Sequence, residues 1–123
     1  MAITLNSTLR NARSTAIVTE AGATAKLSVY TAGYASLLYT STCAATLGTV
    51  AAGTLTFNAV GDATAVAAGT AAIARLFKTD GTTMVIEGMS VGTSGTNIII
   101  NNTTIAISDV ITTSSGTIVE GNA

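Results

Sequence analysis

The chain has 123 residues, 48% of them hydrophobic and only 9% charged, with five basic and six acidic residues and a formal net charge of −1. A charged share this far below the usual figure of roughly 25% excludes intrinsic disorder, and the lack of a basic stripe excludes binding to nucleic acid through phosphate counterion release. Histidine, proline and tryptophan are absent and cysteine occurs once, which excludes an internal disulfide, an imidazole ligand and any Ser-His-Asp or Cys-His arrangement.

The length suits one domain, residues 1–123, with a real core. Its first residues, Met1-Ala2-Ile3-Thr4-Leu5-Asn6-Ser7, carry no basic region followed by an apolar run, so they do not read as a secretory signal. No stretch approaches the roughly 18 apolar residues of a membrane span. The nearest, residues 63–77, is interrupted by Thr64, Gly69, Thr70 and Arg75. The expectation is a protein made in the cytoplasm with no membrane partner.

Residues 5–21 carry the one good helical pattern. Leu5, Leu9, Ala12 and Ala16 recur at spacings of four, three and four and share a face. Asn6 or Ser7 is placed to cap the start, and Gly22 sits where a helix end favours a left-handed residue. Arg10, Asn11 and Ser14 fall off the apolar stripe. That stripe is narrow and small-sided, so the helix needs a partner surface to persist.

After Gly22 the period changes. Lys26-Leu27-Ser28-Val29-Tyr30 alternates polar and apolar, as a half-buried strand does. Residues 46–50 and 54–60 read similarly, with Leu55, Phe57 and Ala59 on one face of the second. Residues 61–69, rich in Ala and Gly, read as a loop or short helix. The strongest local signal is a hairpin: residues 70–78, a turn at Asp80-Gly81, and a return over residues 82–89. A loop at Gly92-Thr93-Ser94-Gly95-Thr96 follows, then strand candidates at residues 97–101, 103–108 and 117–120. Strands about ten residues apart with glycine between them predict a mainly β fold, an antiparallel β-sandwich or jelly-roll-like barrel with one N-terminal α-helix. Residues 5–21 form the helix and residues 25–120 the sandwich. No fixed-period repeat is present, and Thr40/Thr42 and Thr54/Thr56 do not recur as an array.

Candidate chemistry is sparse. Cys43, with no base available, reads as a small buried hydrophobe. Glu20, Asp62, Asp80, Glu87, Asp109 and Glu120 are scattered. Glu87 and Glu120 are the one pair placed to meet as glycosidase carboxylates, but nothing in their spacing requires it, and the sugar-stacking aromatics are few. The pairs Arg10/Arg13 and Arg75/Lys78 read as solvated faces or surface ion pairs. Gly92-Thr93-Ser94-Gly95 is followed by no Walker lysine and opens no helix. Tyr30, Tyr34 and Tyr39 are close enough in sequence to form an aromatic patch. The expectation is a non-enzyme with no catalytic, cofactor-binding or metal-binding residues and no cofactor.

Residues 69–123 resemble a family of small proteins encoded among the virion genes of tailed phages and prophages. The matching pieces are Gly69-Thr70-Ala71, Phe77-Lys78-Thr79-Asp80-Gly81-Thr82-Thr83-Met84-Val85, Glu87-Gly88, Val91-Gly92-Thr93-Ser94-Gly95 and Ile118-Val119-Glu120-Gly121-Asn122-Ala123. Leu9-Arg10-Asn11-Ala12-Arg13 is similar to the family's first helix. The chain departs from the pattern at Ile73-Ala74, where the family has an aromatic pair, and residues 31–60 match poorly. The resemblance implies a virion structural component, on head or tail, and transfers no catalytic residue.

Two binding classes follow from it. A capsid decoration or cement protein would sit in the capsid of the virion, after synthesis in the host cytoplasm. It would bind the major capsid protein and self-associate as a dimer or trimer. A tail-tip or receptor-binding module is the alternative. Scarce charge and absent proline favour assembly, because one device that blunts exposed strand edges is missing and another is in short supply. The helix and residues 118–123, at the two chain ends, are the expected contacts.

Overall fold

The computed structural model describes residues 6–119. Helix α1 spans Ser7–Ala21. Strands follow at β1 (Lys26–Tyr30), β2 (Leu37–Thr42), β3 (Gly48–Ala51), β4 (Thr54–Phe57), β5 (Ala63–Thr64), β6 (Gly69–Thr70), β7 (Ile73–Phe77), β8 (Met84–Gly92), β9 (Ile98–Ile100), β10 (Thr104–Ile105), β11 (Val110–Ile111) and β12 (Thr113–Val119), with a 3-10 turn at Ala32–Tyr34 before β2. The fold is mainly β with one N-terminal helix, as expected. Eight strands form one curled sheet, a half-barrel, in the order β2-β1-β7-β8-β9-β12-β4-β3. Two ribbons, β5–β11 and β6–β10, are appended to it.

Every pairing is antiparallel except β8–β9, which runs parallel through Val91↔Ile98 and Gly92↔Ile99. A parallel pair normally needs a crossover of a dozen residues or more. Here five residues, 93–97, suffice, because pairing is brief and Asn97 ties the loop down. Its Oδ1 accepts from the Ser90 N–H at 3.0 Å and its Nδ2 donates to the Thr117 carbonyl at 3.1 Å.

Asn6 caps α1, its Oδ1 accepting the Leu9 N–H at 2.8 Å. Gly22 ends it at φ 69°, its N–H donating to the Val18 carbonyl at 3.2 Å. The helix is seated on the face opposite to the expected one. Leu9 is 45% exposed, and Ala12 and Ala16 are also exposed. Arg10, Asn11, Ser14, Ile17, Val18 and Ala21 turn inward instead. Leu5 lies outside the described residues. The inward set repeats the same helical period on the other side of the helix. It prevails because Ile17 and Val18 bring more apolar area than Ala12 and Ala16. Asn11 adds a polar anchor: its Oδ1 accepts the N–H of Gly53, in the β3–β4 turn, at 2.7 Å.

The core holds Leu27 and Val29 of β1, Tyr39 of β2, Leu55 and Phe57 of β4, Ala74 and Leu76 of β7, and Ile98 and Ile100 of β9. Each large side chain so buried contributes roughly 1.5–3 kcal/mol. The expected alternation holds in β4 for Leu55 and Phe57 but not for Ala59, which is exposed because the strand ends at Phe57. Residues 61–69 form no helix; β5 and the start of β6 lie there. Strand β2, which the sequence does not announce, borders β1.

The hairpin forms as expected, with Phe77 opposite Met84. Its first arm is shorter than residues 70–78: Thr70 belongs to β6, which pairs with β10, and β7 begins at Ile73. The turn is longer than a two-residue primed one. Lys78 N–H donates to the Thr83 carbonyl and Gly81 N–H to the Lys78 carbonyl, both at 2.9 Å. Asp80 organises the loop as a side-chain acceptor, its Oδ1 taking the N–H groups of Thr82 and Thr83 at 2.8 Å each.

Candidate functional site

Strand alternation sends Leu27 and Val29 to the core and leaves Lys26, Ser28 and Tyr30 on the outer face of β1. The register places Arg75 beside Ser28, and Tyr30 between Ile73 and Leu37. On the other side of β7, Arg75 faces Glu87 of β8. Tyr34 reaches the same place from the 3-10 turn, where Gly33 and Tyr34 itself sit at φ 67° and 58°. That backbone region is uncommon for an aromatic residue.

These side chains form one cluster. The Arg75 guanidinium carbon lies 3.7 Å from the Tyr34 ring centroid and 5.3 Å from that of Tyr30. The two rings meet edge to face, 5.4 Å apart at 75°. Arg75 Nε approaches Glu87 Oε2 at 3.4 Å, outside good hydrogen-bond geometry. The side chains are 30% and 52% exposed, so solvent screens this ion pair and the stack does more to hold the arginine. A bulge in β8 supplies the last element. Gly88, at φ 82°, has no partner in the β7 ladder, and its freed N–H donates to the Tyr34 hydroxyl at 2.7 Å.

A second exposed feature is apolar. Val66, Ile107 and Val110 are 67%, 65% and 58% exposed. Val110 is in the β5–β11 ribbon, and Val66 and Ile107 lie beside it on segments that backbone bonds join. Ala65 N–H donates to the Asp109 carbonyl at 2.8 Å and Ser108 N–H to the Ala65 carbonyl at 2.9 Å. The same segment screens the β2 edge, through Gly61 N–H to the Thr42 carbonyl at 2.9 Å and Val66 N–H to the Leu38 carbonyl at 2.8 Å. At the opposite edge, Gly48–Ala51 of β3 pairs only with β4 among the described residues.

The structure separates the remaining candidates. Cys43 is buried, and loss of solvent raises its thiol to about 11, against a smaller opposing effect of Lys26. Tyr39 parts from the other two tyrosines and lies in the core, where burial pushes its hydroxyl up. Its approach to Thr113 offsets this in part but falls short of a full hydrogen bond. Glu87 pairs with Arg75, and Glu120 lies outside the described residues. Lys78 pairs with Glu20 at 2.9 Å, so Arg75 and Lys78 both make the surface ion pairs expected of them. Of the expected contact segments, α1 exposes Leu9 and the C-terminal stretch exposes Val119 at 58%; residues 120–123 are outside the described ones. Among the described residues there is no ligand-sized pocket and no cluster of three metal-ligating side chains. The convergence of Tyr30, Tyr34 and Arg75 is legible only once the β1–β7 register is known.

Comparison with known protein families, with curated proteins and with solved structures gave no match.

Proposed function

We propose that the chain is a structural protein of a tailed-phage virion, a decoration or cement protein that binds between major capsid subunits and self-associates as a dimer or trimer. One observation carries the reading: Val66, Ile107 and Val110 are all exposed, on neighbouring segments joined by backbone hydrogen bonds. Exposed apolar residues on a chain with 9% charge fit permanent assembly. The sequence resemblance to virion proteins supports the same reading. Each bound copy would stabilise the shell by mass action, without a catalytic group. Cryo-electron microscopy of the parent particle tests it. Density for this chain between major capsid subunits is expected; density confined to the tail would overturn the capsid assignment.

A tail-tip or receptor-binding module is the second reading, and the partly exposed Tyr30–Tyr34–Arg75 cluster favours it, since paired aromatics and an arginine are common recognition anchors. Both readings are non-enzymatic. Turnover of glycans, peptides or esters, lost on replacing Cys43 or Glu87, would overturn that part.

A further inference from the structure

We infer that Asp80–Gly81 is the bond at which the chain ages by isomerisation of its own backbone, and that the Thr83 hydroxyl governs the rate. The reaction needs no reagent but water. The Gly81 amide nitrogen attacks Cγ of Asp80 and gives up its proton, and a side-chain oxygen leaves as water. Water then reopens the five-membered succinimide so formed. Addition at the main-chain carbonyl leaves Cγ joined to Gly81, as isoaspartate; addition at Cγ restores aspartate. Sequence and exposure single this bond out. Asp62 is followed by Ala63 and Asp109 by Val110, and no asparagine precedes a glycine. At Asp80 alone the attacking nitrogen belongs to a residue with no side chain to crowd it. Asp80 and Gly81 are both exposed, and no group beyond the chain neighbours comes within 4 Å of the position a Gly81 Cβ would take.

The folded turn restrains both reacting groups. Asp80 Oδ1 accepts the Thr82 and Thr83 N–H groups at 2.8 Å each, and Oδ2 accepts the Thr83 hydroxyl. With both oxygens tied to residues 82 and 83, the carboxylate does not swing freely to meet the nitrogen of Gly81. That nitrogen is itself engaged, its N–H donating to the Lys78 carbonyl at 2.9 Å. Attack requires near-attack geometry, so these bonds must open first. The same contacts hold the carboxyl at about 2, and the protonated form, which releases water readily, is therefore scarce at neutral pH. Of these restraints only the Thr83 hydroxyl belongs to a side chain; the N–H groups and the Lys78 carbonyl are backbone. Isoaspartate adds a methylene to the main chain and shortens the side chain by as much. This moves the carboxylate off its Thr82 and Thr83 donors, beside the Phe77↔Met84 end of the hairpin.

The test follows isoaspartate over time in the full chain at neutral pH, by chromatography and electron-transfer fragmentation, which tells isoaspartate from aspartate at each position. Folded wild type is compared with wild type unfolded in guanidinium chloride, and with folded Thr83→Val and Thr83→Ser. Unfolded chain is expected to accumulate isoaspartate first at residue 80, and folded wild type to do so roughly tenfold more slowly or less. Thr83→Val, which keeps the side-chain shape but loses the hydroxyl, is expected to be several-fold faster than wild type. Thr83→Ser, which keeps the hydroxyl, is expected to match wild type. Circular dichroism checks that both variants are folded. The comparison of folded with unfolded wild type stands even where a variant fails to fold. Equal rates in folded and unfolded wild type overturn the inference. So does a folded Thr83→Val at the wild-type rate, or isoaspartate that appears at Asp62 or Asp109 before Asp80.

Discussion

The backbone N–H of Gly88 donates to the hydroxyl of Tyr34 at 2.7 Å, across 54 residues of sequence. The bulge in β8 creates an orphan donor, and a tyrosine on a left-handed backbone supplies the acceptor. Tyr34→Phe keeps the ring under Arg75 but removes that acceptor. It is expected to lower the unfolding free energy by about 1 kcal/mol. Urea denaturation measures this. An unchanged midpoint would mean that solvent serves the Gly88 N–H equally well.

Asn11 anchors the helix to the sheet through the Gly53 N–H. Asn11→Ala leaves that donor, on a buried glycine, without its partner, and is expected to cost about 1–2 kcal/mol. The loss should be local. Hydrogen exchange of the α1 amides should quicken while β1 and β7 keep their protection. Wild-type protection throughout α1 would show that Ile17, Val18 and Ala21 hold the helix unaided.

The seating of this helix also marks where the sequence is readable and where it is not. Its limits follow from Asn6 and Gly22, but Leu9, Ala12 and Ala16 form an apolar stripe that faces water. Two weak stripes lie on opposite sides of the helix, and the sheet beneath Ile17 and Val18, with the Gly53 N–H that Asn11 meets, decides between them. Strands β1 and β7–β8 are legible because one face is polar and the other buried. Strand β2 is not: Leu38 and Tyr39, consecutive residues on opposite faces, are both fully buried, so the strand lacks the alternation of a half-buried one; Gly69 lies against Leu38. Strands β5 and β11 have two residues each, too few for a period to show. The Tyr30–Tyr34–Arg75 cluster depends on a register that runs through β2, the 3-10 turn and the bulge at Gly88, and none of these has a sequence signature of its own.

The turn at Asp80 has a pH signature. Hydrogen bonds from the Thr83 hydroxyl and from the Thr83 and Thr82 N–H groups hold its carboxyl down at about 2, against 3.8 for the free group. The folded pKa is the lower one, so the contribution to stability is complete above the unfolded value and disappears as pH falls through the folded one. Wild type should therefore lose thermal stability between about pH 4 and pH 2 in part through this residue. Asp80→Asn should be less stable than wild type at neutral pH, and the gap should close across that window. A gap that stays constant down to pH 2 would show that the turn does not depend on the charge.

Two glycines are needed for different reasons, and alanine substitution separates them. Gly81 sits at φ 73° with open space around it, so Gly81→Ala meets only the backbone penalty of a left-handed conformation, about 1 kcal/mol. The β-branched side chain of Gly81→Val should cost more. Gly48, in β3, has no such dihedral constraint, but a Cβ there would lie 2.2 Å from the carbonyl oxygen and 2.8 Å from the carbonyl carbon of Thr56. Both atoms are backbone in the neighbouring strand β4, paired through Thr49↔Thr56, and they cannot turn aside as a side chain would. Relief requires the β3–β4 pair to part, which also loosens the seat of α1 at Gly53 and the packing of Leu55. Gly48→Ala is therefore expected to cost about 2–3 kcal/mol, at the upper end for overpacking, and clearly more than Gly81→Ala. Chemical denaturation of both variants beside wild type gives the comparison. Equal costs, or a milder effect at Gly48, would mean that β3 is free to shift away from β4 and is a looser edge than its register implies.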